Sequence, residues 1–247
     1  MKKITSIKSI SDNKFSLLID GEKHIIYGDV LLEYNILRPM EINSDTYINL
    51  INTNNYRIAY YKVINFINAK MRTEKEIRNK LYTLKVSKDN SNKIIKELYL
   101  KNYINDDLYV RSFVNDQINL TLNGPHKIYY ELKRNDFTDE LINKYLDFKN
   151  DIWKERTKKL IDKKVKANHK LSRLKLLQKI KNDLKNLGYE EWMYKSYLDE
   201  VYISDENQYQ KDYEKYHIKL SKKYTGEKLE VMIKRKMYSL GYNVNDQ

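Results

Sequence analysis

Cysteine is absent from this chain, and proline (2) and glycine (6) are scarce among its 247 residues. Without cysteine there is neither a disulfide framework nor a thiolate metal site. So little Pro and Gly disfavours a loop-rich β fold and favours helices. No apolar run approaches the ~20 residues that cross a bilayer. Met1-Lys2-Lys3-Ile4-Thr5-Ser6 is not followed by an apolar core of signal-peptide length. The expectation is a cytoplasmic protein with no membrane partner. Walker sequences and glycine-rich phosphate loops are missing too. His24, His126, His169 and His217 have no ligand spacing, so no metal site is expected. Asp106-Asp107 and Glu190-Glu191 are adjacent acids, which point about 100° apart on a helix and suit caps or solvated surface better than a catalytic pair. No catalytic residue, cofactor or enzymatic activity is expected.

Positive charge is plentiful and uneven. The net charge is +13. Residues 154–185 hold thirteen Lys/Arg against three acids (Glu155, Asp162, Asp183), an excess of ten in one segment. Such a stripe suits a polyphosphate partner. Lys158, Lys159, Lys163, Lys166 and Lys170 are expected on one face of a long helix, approaching the phosphates of single-stranded DNA. The 23 Tyr are expected half-buried between helices. Trp153 and Trp192 flank the basic segment and are expected as core anchors, with stacking on a base as the other reading.

The strongest pattern is an internal repeat. Ile77, Leu81, Leu84, Val86 are spaced as Ile128, Leu132, Asn135, Phe137, as Ile180, Leu184, Leu187, Tyr189, and as Ile233, Met237, Leu240, Tyr242. The starts fall 51, 52 and 53 residues apart. Positions i, i+4 and i+7 share one helical face, and Lys85, Asp136, Gly188 and Gly241 then occupy the exit. The fold class expected is mainly α: tandem three-helix repeats in a curved array, preceded by a small N-terminal antiparallel β-sheet. Arrays of this kind bind long partners.

The partition expected is 1–54 for the N-terminal extension, 55–105 and 106–150 for repeats one and two, 151–203 for a basic third repeat, and 204–247 for an incomplete fourth. In the extension, Asp20-Gly21 is a two-residue hairpin signal. It gives three strands over residues 1–27, a short helix at Val30 to Tyr34, and a covering segment around Ile42 to Ile51. In repeat one, a helix from Arg57 to Ala69 precedes one capped by Thr73, with Glu76 completing a capping box. Repeat two opens at Asp106-Asp107 as a cap. Its second helix starts at Gly124-Pro125, either a plain start or a phosphate seat, and Thr138 caps its third. Ser172 and Thr225 lie eight residues before Ile180 and Ile233, against four for Thr73 and Gly124, so the later second helices gain about one turn. About eleven helices result.

The stretch from Arg72 to Leu146 also carries a family likeness. Arg72-Thr73-Glu74-Lys75-Glu76-Ile77 with Lys80-Leu81 resembles the first-repeat signature of the RecX family of recombinase regulators. Asn102-Tyr103-Ile104-Asn105-Asp106-Asp107 with Tyr109-Val110 and Phe113-Val114 is similar to its repeat junction. Gly124-Pro125-His126-Lys127-Ile128 with Glu131-Leu132 is similar to its second-repeat signature. The motifs come in the family's order and spacing. His126 stands where the family usually has Arg, and Arg38-Pro39-Met40 where it has a Gly-containing turn. The resemblance implies a regulator that binds along the RecA filament on single-stranded DNA and restrains strand exchange, ATP hydrolysis and co-protease activity; a monomer is expected. It also implies a partner surface at the two signatures, for which Arg72, Lys75, Arg78, His126, Lys127 and Lys133 are the candidates. The alternative is a sequence-specific DNA-binding protein of tandem helix-turn-helix-like units.

Overall fold

Alternating apolar residues near the N-terminus build a four-stranded antiparallel sheet in the computed structural model, which describes residues 1–243. The strands are β1 (Lys2–Ser11), β2 (Lys14–Ile19), β3 (Glu22–Tyr27) and β4 (Met40–Ile42), in the order β3-β2-β1-β4. Asp20 and Gly21 both take positive φ (49° and 86°), so the tight hairpin turn forms as expected. Register shifts in β1 between Ile4 and Ser6 and between Ser9 and Ser11 explain its poor alternation. Each inserts an extra residue, so Ile4 and Ile7 reach the same core although three residues apart. The fourth strand corrects the expected three. At three residues, just after Pro39, it is too short to leave a pattern.

Helix α1 (Gly28–Glu33) follows β3 directly and ends through Asn35, whose positive φ (53°) makes the reversal before Arg38-Pro39-Met40. Helix α2 (Ser44–Ala69) is capped by Asn43 and runs unbroken for 26 residues. No helix break accompanies position 55. The first half of α2 puts Leu50 against Ile4, Leu17, Ile19, Ile26, Val30 and Ile36. Its second half gives Ala59, Tyr60 and Val63 to a separate core with Ile77, Leu81, Ile94, Ile95 and Leu98. One helix therefore serves two cores.

Ten more helices follow: α3 (Glu74–Thr83), α4 (Lys88–Leu100), α5 (Asp106–Leu120), α6 (Pro125–Lys133), α7 (Asp139–Tyr145), α8 (Ile152–Lys166), α9 (Arg173–Asn186), α10 (Lys195–Glu200), α11 (Glu206–Ser221) and α12 (Gly226–Ser239). That makes twelve among the described residues, with a 3₁₀ turn at Glu191–Met193. The repeat pattern alone predicts about eleven. The Thr73/Glu76 capping box forms on α3, and Thr138 and Ser172 cap α7 and α9 through their side chains. Helix α5 is instead capped by Asn105, whose Oδ1 accepts from the Leu108 N–H (2.9 Å); Asp106 accepts from the Tyr99 hydroxyl. The later second helices are longer as expected, with 14 residues in α9 and α12 against 10 and 9 in α3 and α6.

All eight residues at the first two positions of the repeat pattern are buried. The exits agree as well: Lys85, Asp136, Gly188 and Gly241 all have positive φ, between 57° and 88°. The next N–H then reaches back across the last turn, from Val86 to Leu81, Tyr189 to Leu184 and Tyr242 to Met237 (3.0–3.2 Å). This closure satisfies carbonyls that a helix end leaves open. The chain divides into two compact units, Met1–Tyr109 and Val110–Gln247. The last four positions of the expected fourth repeat, 244–247, lie outside the described residues.

Candidate nucleic-acid interface

In the second unit two of these helix exits, those of α9 and α12, receive the start of another helix. The Gly124 N–H donates to the Leu187 carbonyl (2.7 Å) and the His126 N–H to that of Gly188 (3.2 Å). The open N–H groups at the start of α6 thus meet open carbonyls at the end of α9. The approach leaves no room for a side chain: a Cβ on Gly124 would lie 2.7 Å from the Gly188 carbonyl oxygen. The suggested phosphate seat at Gly124-Pro125 is therefore filled by protein carbonyls. One unit of the pattern further on, the Ser172 hydroxyl at the start of α9 donates to the Leu240 carbonyl at the end of α12 (2.6 Å).

His126 Nε2 donates across the α6–α9 junction to Glu190, whose other oxygen accepts from Trp192 Nε1 (2.8 Å). The bond from His126, joined by that from Trp192, holds the Glu190 carboxyl below its usual pKa against partial burial. Arg156 on α8 belongs to the same joint. Its guanidinium donates to the carbonyls of Ile118, Thr121 (2.7 Å) and Asn123 (3.4 Å), closing the end of α5. One of the thirteen cations in the basic segment is thus structural, and nothing in the sequence distinguishes it from its neighbours.

The rest of the segment sorts by helical face. Trp153, Thr157, Leu160 and Ile161 turn inward. Lys164 pairs with Asp183 (2.5 Å). Lys158, Lys159, Lys163 and Lys166 stand exposed on α8. Among the described residues, Lys159, Lys163 and Lys166 have no acid within ion-pair distance, and Lys158 lies over the Tyr197 ring (5.0 Å). Lys170 is exposed but not on the helix, which corrects the single stripe of five. Asn168 ends the helix, its Oδ1 accepting from the Leu171 N–H (3.0 Å) and its Nδ2 donating to the Leu171 carbonyl (2.8 Å).

The signature residues are mostly engaged within the protein. Arg72 donates to the Phe66 carbonyl (3.3 Å) and to Glu76 (3.1 Å), with its guanidinium 3.7 Å from the Phe66 ring centre. Arg78 donates to Glu74 (2.6 Å) and Asn92 (2.9 Å). Lys133 pairs with Asp139 (2.7 Å), which raises the lysine pKa and lowers that of the acid. Lys75 and Lys127 are exposed. Trp153 is the core anchor expected, donating from Nε1 to the Asp147 carbonyl (2.8 Å). Trp192 is not: it is 43% exposed. Glu190 and Glu191 precede it and no apolar register includes it, which was the available signal. Among the described residues no group of three or more His, Asp or Glu side chains is placed to hold a metal, and no helix is long and apolar enough to cross a membrane.

No family model matches the chain. Regulatory protein RecX of Listeria innocua is 31% identical over 191 residues, spanning 76% of this chain and 71% of that protein. Regulatory protein RecX of Staphylococcus haemolyticus is 28% identical over 250 residues, spanning 98% and 94%. A crystal structure of regulatory protein RecX superposes with a TM-score of 0.67 at 23% identity, over 81% of this chain and 100% of that one. The crystal structure of RecX from Lactobacillus salivarius gives 0.54 at 25% identity, over 60% and 99%.

Proposed function

The chain is a regulatory protein of the RecX family, and on that premise we propose that it binds the RecA filament on single-stranded DNA and restrains its recombinase, ATPase and co-protease activities. It acts in this reading as a cytoplasmic monomer with no catalytic step of its own. The observation that carries the reading is the exposed cationic face of α8, where Lys159, Lys163 and Lys166 lack acidic partners among the described residues. Lysines left unneutralised cost self-repulsion and suit a phosphate backbone. In the proposal Lys158, beside the Tyr197 ring, and Lys170, in the segment after α8, add further phosphate contacts off that face. Arg72, Lys75, Arg78, His126, Lys127 and Lys133 form the signature surface that it assigns to RecA itself, with Lys75 and Lys127 its exposed members. The partition at 55, 106, 151 and 204 is kept as the set of units that touch successive parts of the filament, so that weak contacts add through effective concentration.

The test is binding to labelled single strands, naked and coated with RecA, over a range of salt. Affinity for naked DNA should be weak, blind to sequence and steeply salt-dependent, and should rise when RecA coats the strand. Tight binding to one duplex sequence, unaffected by RecA, would overturn the reading in favour of a sequence-specific DNA-binding protein.

A further inference from the structure

The two tryptophans have opposite environments. Trp153 is 1% exposed, with its Nε1 bonded inside the fold. Trp192, on the turn between α9 and α10, is 43% exposed. A large indole at the surface forgoes burial that its neighbours obtain. Its placement is nevertheless fixed. Nε1 is held by Glu190, and the adjacent Met193 is buried, with its carbonyl accepting from the Thr157 hydroxyl (2.9 Å). The ring therefore has little conformational freedom left to lose on binding.

Its surroundings pair cations with aromatic faces. Lys154 Nζ lies 5.6 Å from the Trp192 ring centre, and Lys158 Nζ, one helical turn on, lies 5.0 Å from that of Tyr197. The acids nearby are mostly occupied. Glu190 is bonded to His126 and Trp192, Asp151 to Lys154, and Asp162 to the Tyr197 hydroxyl. Glu191 is exposed. Lys159, Lys163 and Lys166 lie on the adjoining rows of α8. A ligand matching this edge needs anions and flat π faces at short intervals, which is the chemistry of an unpaired polynucleotide strand.

We propose that Trp192 is a stacking platform for an unpaired base of single-stranded nucleic acid, with Lys154 against the ring, Lys158 one helical turn further along α8 and the other α8 lysines along the phosphates. The inference rests on the single-strand contact of the preceding section and adds the base-binding position to it. Stacking of this kind accepts any base.

Because Trp153 is sealed in the core, it adds a constant background to the indole fluorescence, and quenching by a bound base reports on Trp192. The probes are oligothymidylate and inorganic polyphosphate, each titrated at low salt with fluorescence and anisotropy read together. Oligothymidylate should quench the emission on binding, whereas polyphosphate should bind without quenching. Trp192→Ala should weaken oligothymidylate binding by about tenfold and leave polyphosphate binding unchanged. Trp192→Phe should keep most of the affinity and lose the quench. Binding of oligothymidylate without quenching, or equal losses for both probes in Trp192→Ala, would overturn the stacking role and leave the phosphate contact standing. If oligothymidylate does not bind at all, both the stacking role and the single-strand reading beneath it fail.

Discussion

The Asn54 carboxamide donates to the Ile25 carbonyl (2.9 Å) and accepts from the Tyr27 N–H (3.0 Å). These are the outward backbone groups of the edge strand β3, so a side chain on α2 pairs them as a further strand would. Asn54 is itself buried. Replacing it with Ala leaves a carbonyl and an N–H unpaired, and should lower stability by about 2–4 kcal/mol in chemical unfolding; a loss below about 0.5 kcal/mol would mean that water restores both bonds. Arg57 likewise pairs with both Asp29 (3.3 Å) and Glu97 (3.8 Å). Burial, the largest influence on Glu97, favours its neutral form. Hydrogen bonds from Lys101 (2.7 Å) and Tyr56 (2.8 Å), with the charges of Lys101 and Arg57, outweigh it and hold the carboxyl below its usual pKa. A carboxyl lowered in the folded state adds stability above its unfolded pKa, about 4.3, and loses that contribution as pH falls through the folded value. The stability advantage of the wild type over Glu97→Gln should accordingly be full at neutral pH and shrink on acidification below about pH 4. An advantage that does not change with pH would contradict this. Neither Asn54 nor Glu97 is legible in the sequence as a bridge, because Tyr27 lies 27 residues from Asn54 and Tyr56 lies 41 from Glu97.

At the scale of elements, the four helix exits share one backbone shape but carry different residues. Lys85 and Asp136 hold a left-handed conformation that costs a residue with a Cβ about 1 kcal/mol or more. Gly188 and Gly241 take it freely. Lys85→Gly should therefore stabilise by about 0.5–1 kcal/mol, after the entropy that glycine gains in the unfolded chain. Gly188→Ala should destabilise by more, since its Cβ would lie 2.5 Å from the Lys127 nitrogen at the α6–α9 junction. Thermal unfolding of the two variants checks both signs, and a shift of the same sign in both would refute the account of these exits. Such exits were legible because period, cap and exit fall together within each 51- to 53-residue step. The unbroken α2 was not: its apolar residues serve two cores on different faces, which blurs any single stripe. Nor was the end of α8 at Ala167, where Asn168 closes on Leu171 through its side chain although the charge pattern runs on to Lys170.

For the molecule as a whole, the excess of +13 becomes a face only after folding has removed some of its members. Arg156 goes to backbone carbonyls and Lys164 to Asp183, while Lys159, Lys163 and Lys166 remain exposed. The sequence located the basic segment and its helix. It did not separate structural from available cations, because that depends on what each side chain meets in α5, α9 and the turn at Glu191–Met193. In the signatures, the stacking of Arg72 on Phe66 makes Arg72→Ala a change to the fold as well as to a surface. Charge reversal on α8 has no such cost. Lys159→Glu, Lys163→Glu and Lys166→Glu together should lower the salt slope of single-strand binding by about two. The most direct measurement is the ATPase rate of RecA on single-stranded DNA, titrated with the wild-type chain and with this triple variant at equal folded concentration. The account predicts that the wild type lowers the rate in a saturable way and that the variant needs at least about tenfold more protein for the same effect, each 1.4 kcal/mol of lost contact being a factor of ten. A wild-type chain that leaves the rate unchanged at saturation, or a variant that matches it, would contradict the account.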